Sequence, residues 1–178
     1  MASTRRLLGI GAALLAVGAV GVGLLMPATE DGRVTVGARA PDFSAVTLDE
    51  PAQPRTLADY DGDVLLLNVW ATWCPPCVAE MPTMQAVHEA YAGRGLRVVA
   101  VSVDDRGTED LIREFLADHG LTFEILHDPA FAIFDTYQLN GVPMTFLIDR
   151  GGTIRLTRFA ADWSSPGHRS EIERLLDD

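Results

Sequence analysis

Two cysteines separated by two prolines are the residues of this chain whose type and spacing most directly suggest chemistry. Cys74 and Cys77 are the only cysteines among the 178 residues. A purely structural bridge between them would close so short a loop that it would remove little entropy from the unfolded chain. The pair is therefore interpreted as a redox dithiol, which cycles between two thiols and one disulfide.

The elements predicted on either side of the dithiol place it at a junction between a strand and a helix. Val64–Trp70 is an almost continuous apolar run, typical of a strand that is buried on both faces of a parallel sheet. From Pro75 to Ala92, apolar residues recur at a spacing of three to four and predict a helix. Cys74 is then expected at the N-cap of this helix, beside backbone N–H groups that lack a helical partner.

This position predicts different roles for the two sulfur atoms. The unpaired N–H groups and the helix dipole favour a thiolate over a thiol, so Cys74 is expected to attack a substrate disulfide. Cys77, in the first helical turn, would resolve the mixed disulfide. Pro75 and Pro76 would take the first two helical positions, where a missing N–H costs little, and would stiffen the loop.

Metal binding is the alternative use of two cysteines. A zinc site needs two further ligands, and the four histidines lie at no spacing that makes a second ligand pair: His88, His119, His127 and His168. The first is interpreted as packed on its helix face, and the other three as loop or surface residues. A copper(I)-binding metallochaperone or assembly factor stays an alternative, because soft thiolates suit copper(I). No cofactor and no other metal is predicted.

Strands and helices alternate up to the C-terminus, which predicts an α/β fold with a central mixed sheet flanked by helices. Residues 42–60 are expected to form a hairpin or a loop. The glycine-rich turn at 149–152 predicts that the last two strands form an antiparallel hairpin. The other predicted elements are strand Leu96–Val103, helix Thr108–His119 with Gly120 as its stop, strand Thr122–Leu126, a helix capped by Asp128 with Pro129 at its first position, strand Met144–Ile148, strand Thr153–Phe159 and helix Gly167–Leu176.

The N-terminal segment predicts a membrane anchor. Residues 7–26 carry no charge and follow Arg5 and Arg6. At a rise of about 1.5 Å per residue, a helix of this length crosses a hydrocarbon core of about 30 Å. The arginines predict a cytoplasmic tail over residues 1–6, a transmembrane signal-anchor helix over 7–26, a linker over 27–40 and an extracytoplasmic domain over 41–178. Secretion after cleavage of a signal peptide is the alternative.

Composition limits the classes of function. A hydrophobic fraction of 48% in a chain of this length is enough for the core of one domain. The formal net charge is −11, which disfavours a nucleic-acid partner because phosphate binding needs a basic face.

Two segments, in this order, resemble a known group of proteins. Asn68–Pro82 reads NVWATWCPPCVAEMP, and Asn140–Asp149 reads NGVPMTFLID. Both are similar to the motifs of the TlpA/ResA group of thioredoxin-like proteins, and the resemblance extends from about Gly37 to the C-terminus. It implies a thioredoxin-like fold and thiol–disulfide exchange with protein substrates.

The resemblance also implies roles for residues around the dithiol. The residue that matches Pro143 is a cis-proline facing the dithiol, and the backbone of the residue before it, Val142, pairs with substrate like an added strand. Asn68 stands where ordinary thioredoxins have a buried Asp that accepts a proton, and Asn cannot titrate. Glu80, one turn past Cys77, is the implied replacement, because partial burial would raise its pKa and suit it to proton transfer.

Three further residues near the dithiol are given packing roles. Trp70 is expected in the core, whereas Trp73 is expected to shield Cys74 and offer substrate an apolar contact. Pro82 should kink the helix by removing one backbone hydrogen bond.

The resemblance further implies a direction of electron flow and a set of partners. Proteins of this group commonly receive electrons from a membrane dithiol carrier and reduce disulfides in exported proteins, including apocytochrome c. The chain is therefore expected to be an extracytoplasmic, membrane-anchored reductant. A peroxiredoxin-like thiol peroxidase is the enzymatic alternative, suggested by Ala40-Pro41-Asp42-Phe43, but neither cysteine has the Pro-x-x-x-Thr-x-x-Cys setting of a peroxidatic cysteine.

Overall fold

Seven strands form one mixed sheet in the computed structural model, which describes residues 34–178. The strands are β1 Ser44–Thr47, β2 Pro54–Thr56, β3 Val64–Trp70, β4 Leu96–Ser102, β5 Glu124–His127, β6 Met144–Ile148 and β7 Ile154–Arg158. Their order across the sheet is β2-β1-β5-β4-β3-β6-β7. The pairs β3–β4 and β4–β5 are parallel, and the other four pairs are antiparallel. The predicted mixed sheet is confirmed.

Four α-helices accompany this sheet within the described residues. They are α1 Pro75–Tyr91, α2 Glu109–His119, α3 Ala132–Thr136 and α4 Pro166–Asp177, and short 3-10 turns lie at Leu57–Tyr60 and Ala92–Arg94. Gly120 ends α2 in the left-handed conformation with φ of 62°, as its sequence position predicts. Pro82 lies inside α1, where it has no N–H to donate to the preceding turn.

The strand that leads into the dithiol is the most deeply buried element. All seven residues of β3 are buried, because β4 and β6 cover its two edges and the hydrophobic core covers its faces. This explains why Val64–Trp70 is apolar at every position except Asn68 and does not alternate. The packed end of β3 consequently fixes the position at which the following loop begins.

The hairpin β6–β7 turns at the predicted residues. The carboxylate of Asp149 accepts hydrogen bonds from the backbone N–H of Gly151 at 2.9 Å and of Thr153 at 2.8 Å. Gly152 has φ of 79°, a conformation that residues with a side chain rarely adopt. The antiparallel hairpin is confirmed.

The helix expected to begin at Pro129 begins three residues later. Phe131 has φ of 58°, and this left-handed residue prevents helical geometry from extending back to Asp128. The carboxylate of Asp128 nevertheless accepts a hydrogen bond from the N–H of Ile133 at 2.8 Å. The prediction of Pro129 as first helical residue was wrong, whereas Asp128 does bond the start of α3.

The last residues of the predicted linker belong to the folded part of the chain. Gly37 donates to the carbonyl of Ile154 at 2.8 Å, and Ile154 donates back to Ala38 at 2.9 Å. Ala40 donates to Gly152 at 2.8 Å and is buried. The linker boundary at residue 40 was therefore too late, because these backbone groups pair with β7 and the turn before it.

The predicted cytoplasmic tail over 1–6 and transmembrane helix over 7–26 lie outside the described residues. Between residues 34 and 178, none of the helices combines the length and the apolar character that a membrane span needs.

Candidate active site

Cys74 lies at the junction of β3 and α1, at the N-cap position that the sequence predicts. Its backbone is extended, with φ of −100° and ψ of 101°, and Pro75 and Pro76 open the helix. The N–H of Cys77 points at the Sγ of Cys74, at 3.3 Å. A sulfur atom held here receives positive charge density from the helix terminus, which stabilises a thiolate.

The two sulfur atoms form a disulfide, and the Cα atoms of Cys74 and Cys77 are 5.3 Å apart. The two residues differ in burial, because Cys77 is fully buried and Cys74 retains 4% of its surface. An incoming group therefore meets the sulfur of Cys74 before that of Cys77. This order favours Cys74 as the sulfur that exchanges with substrate.

The loop before β6 brings a second backbone segment to the same sulfur. The bond between Val142 and Pro143 is cis, as the resemblance implies. The carbonyl oxygen of Val142 is 3.6 Å from the Sγ of Cys74. Within residues 34–178, Val142 makes no hydrogen bond to another backbone group, so its N–H and C=O can pair with an extended peptide.

The two tryptophans near the dithiol differ in exposure. Trp70 is fully buried and packs on Phe115 with ring centroids 5.1 Å apart, so its place in the core is confirmed. Trp73 is 63% exposed and directly precedes Cys74. Its expected contact with substrate stays a prediction, and its large apolar surface is free to make one.

Glu80 is buried on the first part of α1 and is surrounded by hydrogen-bond donors. Only 3% of the residue is exposed. Its Oε1 accepts hydrogen bonds from Trp163 Nε1 at 2.6 Å and from Thr145 Oγ1 at 3.1 Å, and the N–H of Ala161 lies at 3.3 Å. Loss of water raises the pKa of Glu80 above its usual range, and these donors oppose the rise without cancelling it.

Asn68 contributes a neutral donor to the same cluster. Its Nδ2 donates to Thr145 Oγ1 at 2.8 Å and lies 3.5 Å from Oε2 of Glu80. Its Oδ1 is buried and accepts no hydrogen bond from residues 34–178. Asn68 and Glu80 thus lie together, and the carboxyl of Glu80 is the only group of this pair that can hold or release a proton.

Two members of the Glu80 cluster were not singled out from the sequence. Trp163 lies 83 positions from Glu80 and Thr145 lies 65 positions away. The sequence does hold a signal for Trp163. A large aromatic residue in a short polar stretch before α4 predicts that its ring packs against another part of the fold. Thr145 is a polar residue in an otherwise apolar strand that follows Pro143. Its hydroxyl is therefore expected to be buried and to require a hydrogen-bond acceptor.

A second buried carboxylate anchors the loop that carries the dithiol. Asp104 is 2% exposed and follows β4. It accepts hydrogen bonds from the N–H of Thr72 at 3.0 Å, from Thr72 Oγ1 at 2.7 Å and from Ser102 Oγ at 2.6 Å. Sequence reasoning missed this anchor, although a carboxylate at the carboxyl end of a buried parallel strand is a usual place for a functional group.

One histidine is placed differently from the prediction. His127 was interpreted as a loop or surface residue, but it ends β5 and is 2% exposed. Its Nε2 is 2.9 Å from the carbonyl of Asp104, and its Nδ1 is 3.4 Å from Oε1 of Glu109. Partners on both ring nitrogens offset the free energy that the imidazole loses when it is buried away from water. His88, by contrast, does pack on its helix face, against Phe123.

Comparison with known proteins agrees with this geometry. The sequence profile of the AhpC/TSA family matches residues 36–157. The thiol-disulfide oxidoreductase ResA of Oceanobacillus iheyensis is 38% identical over 144 residues, which are 79% of this chain and 74% of that protein. The chain belongs to the ResA-like thiol–disulfide oxidoreductases of the AhpC/TSA family.

Solved structures place this oxidoreductase in the same group. A putative thiol:disulfide interchange protein DsbE from Chlorobium tepidum shares 31% identity with it at a TM-score of 0.67, over 80% of this chain and 96% of that one. A secreted thiol-disulfide isomerase from Corynebacterium glutamicum shares 25% identity at a TM-score of 0.70, over 84% and 96% of the two chains. The thioredoxin-like fold predicted from the two motifs is thereby confirmed, and so is enzymatic thiol–disulfide exchange.

Proposed function

We propose that this oxidoreductase is a reductant of disulfides in exported proteins, with apocytochrome c among its substrates. The observation that supports a protein substrate is the contact between Cys74 and the Val142 carbonyl. The unpaired backbone of Val142 beside the exchanging sulfur suits an extended polypeptide that carries a disulfide. The reducing direction and the cytochrome branch are supported by the similarity to the TlpA/ResA group.

The reaction proposed for the reduced enzyme transfers two electrons from the dithiol to the substrate. The thiolate of Cys74 attacks one substrate sulfur, a mixed disulfide forms, and the other substrate sulfur leaves as a thiolate. Cys77 gives its proton to the carboxylate of Glu80 and attacks Cys74, which forms the internal disulfide and releases the second substrate thiolate. Protonated Glu80 and water then supply the two protons that the substrate thiolates take up.

We further propose that the catalytic domain is extracytoplasmic and anchored by residues 7–26. A membrane dithiol carrier would then return two electrons to the internal disulfide after each cycle. The uncharged N-terminal run after two arginines supports this placement.

A trapping experiment tests the proposed substrate class. In Cys77→Ser, the mixed disulfide on Cys74 cannot be resolved, so we expect substrate proteins to stay attached and to be released by dithiothreitol. Mass spectrometry of the released proteins identifies them, and the double variant Cys74→Ser/Cys77→Ser is the control that should carry none. Apocytochromes among the adducts support the cytochrome branch, whereas a broad set of exported proteins indicates general disulfide reduction.

The direction of electron flow is tested by the reduction potential. Equilibration with glutathione buffers should give a potential typical of reductants. A value as oxidising as about −120 mV, which is typical of enzymes that form disulfides, would contradict the proposal.

A further inference from the structure

The loop between β7 and α4 reaches back across the molecule to the buried carboxyl of Glu80. Trp163 in this loop is fully buried, and its indole N–H donates to Oε1 of Glu80 at 2.6 Å. The backbone N–H of Ala161 points at the same oxygen from 3.3 Å. Two donors from one loop therefore converge on one of the two carboxyl oxygens.

The two oxygens of Glu80 are consequently in different environments. A carboxylate oxygen has about two lone-pair sites. Oε1 already faces three donors, because Thr145 Oγ1 also lies 3.1 Å away. Among residues 34–178, the hydrogen-bond contact of Oε2 is one long contact of 3.5 Å, from Nδ2 of Asn68. A proton that adds to this carboxyl finds its free lone pairs on Oε2.

We propose that Trp163 is the positioning residue of the proton carrier: its indole N–H holds Oε1 of Glu80 and leaves Oε2 as the oxygen that takes up and releases the proton. The inference rests on the proposed role of Glu80 in proton transfer. It adds a residue on a different element, 83 positions along the chain, that controls where and how readily this proton is held.

Trp163 is itself fixed to the same part of α1. Its backbone N–H donates to Thr83 Oγ1 at 3.1 Å, and that hydroxyl donates to the carbonyl of Glu80 at 2.8 Å. The backbone that carries the indole is thus held against α1, three residues from Glu80. A residue that only filled space in the core would need neither hydrogen bond.

Few titratable groups lie around Glu80 whose charge could shift its pKa. The contacts from β3 and β6 come from the uncharged side chains of Asn68 and Thr145. On its own helix the neighbouring titratable residue is Cys77, which is in the disulfide in this structure. His168 of α4 packs against the indole of Trp163, with ring centroids 4.8 Å apart. Across residues 34–178, no ion pair involves Glu80, so neutral donors dominate its environment.

The chain offers a matched pair of tryptophans for the test. Trp163 and Trp70 are both fully buried, but Nε1 of Trp70 has no hydrogen-bond partner among the described residues. Trp163→Phe removes an N–H that bonds the carboxyl, whereas Trp70→Phe removes one that bonds nothing. The pKa of Glu80 is measured in the full-length oxidised protein from the ¹³C shift of its side-chain carboxyl.

The expected result follows from the loss of a donor to the charged form. In Trp163→Phe the pKa of Glu80 should rise by about one pH unit or more, a tenfold or greater increase in proton affinity, because the carboxylate loses its shortest hydrogen bond. In Trp70→Phe it should stay at the wild-type value. Equal pKa values of Glu80 in the two variants would overturn the inference.

Two further measurements cover the remaining outcomes. If Trp163→Phe does not fold, Trp163→benzothienylalanine keeps the bicyclic shape and replaces the N–H by sulfur, and it should raise the same pKa. The rate at which Cys77 resolves a mixed disulfide is followed against pH, and its profile should move upward with the pKa of Glu80 in the Trp163 variants. Glu80→Gln with the wild-type rate and profile would refute the proton-carrier role itself, and the pKa measurement would still decide the contact with Trp163.

Discussion

At the scale of single residues, the site combines a sulfur at a helix terminus with a carboxyl that is kept from water. The Sγ of Cys74 accepts the N–H of Cys77 and lies 3.6 Å from the carbonyl oxygen of Val142. Glu80 is held by neutral donors in a place where desolvation dominates its pKa. A carboxyl so placed is easier to protonate than a surface glutamate, which is what a proton carrier to a buried thiol requires.

The raised pKa of Glu80 predicts a pH dependence of stability. Because the folded-state pKa lies above the ordinary 4.5, the folded protein retains a proton that the unfolded chain has already released. Stability is therefore highest below the ordinary value, falls as pH rises from there to the raised folded-state value, and stays lower above it. This is the sign expected of a carboxyl whose charged form is destabilised by burial.

Glu80→Gln should remove this loss, because an amide cannot ionise. Relative to wild type, the variant should gain about 1.4 kcal/mol of unfolding free energy for each pH unit between the two pKa values. Urea unfolding of the oxidised proteins between about pH 4 and about pH 9 measures the difference. The exposed Glu114, on α2, supplies the control Glu114→Gln, which should follow the wild type. A stability difference between Glu80→Gln and wild type that does not change with pH would contradict the prediction.

At the scale of elements, the active-site loop is held by the strand next to it. β3 and β4 are parallel, and Trp70 pairs with Ser102, so their carboxyl ends lie side by side. The loop after β4 can therefore reach the loop after β3, and the carboxylate of Asp104 takes both the N–H and the hydroxyl of Thr72. Because Thr72 is two residues before Cys74, this anchor positions the sulfur of Cys74 relative to the helix terminus.

Removing the anchor should destabilise the protein. Asp104→Ala leaves the partly buried N–H and hydroxyl of Thr72 and the buried hydroxyl of Ser102 without their acceptor, and we expect a loss of about 2–3 kcal/mol of unfolding free energy. Urea unfolding of the oxidised variant measures it. The neighbouring Asp105 has an exposed side chain, so Asp105→Ala should change stability by less than about 0.5 kcal/mol. If Asp104→Ala loses no more unfolding free energy than Asp105→Ala, the hydrogen bonds of Asp104 contribute no net stability.

At the scale of the whole molecule, one hydrophobic core unites the described part of the chain. The buried cluster includes residues from Ala40 near its start to Leu176 near its end. Residues 34–178 also belong to one compact unit by their contacts. A domain with a single core of this kind unfolds as one cooperative unit.

A fragment that begins at Gly32 should therefore fold and exchange disulfides without the N-terminal segment. We expect coincident urea transitions by tryptophan fluorescence and far-UV circular dichroism, and reduction of a model disulfide at the rate of the full chain. Two separated transitions would contradict the single core.

The same fragment tests the proposed anchor. In cells, the full chain should sediment with membranes and resist extraction by high salt, while the fragment should not. Reduced Cys74 of the full chain should react with a membrane-impermeant maleimide in intact spheroplasts, and Cys74→Ser/Cys77→Ser is the unlabelled control. Labelling only after lysis would contradict an extracytoplasmic domain.

The sequence by itself determined the features that short stretches of chain encode. The burial of β3, the start of α1 at two prolines and the placement of Cys74 at its N-cap all depend on neighbouring residues, so their types and spacing predict them. The stop at Gly120 and the hairpin turn at residues 149–152 are local in the same sense. The cis bond before Pro143 came from the resemblance of two motifs, and so did the role proposed for Glu80.

Only the tertiary structure decided what surrounds Glu80 and what holds the loop that carries Cys74. Trp163, Thr145 and Asp104 act on residues that are 83, 65 and 32 positions away in the chain. His127 is buried because it contacts groups that are distant in the chain. The helix after Asp128 starts late because a left-handed residue precedes it. In both cases the structure departs from the local pattern of the sequence. Side-chain hydrogen bonds depend on which elements the fold brings within about 3 Å, and neither residue spacing nor hydrophobic periodicity carries that information.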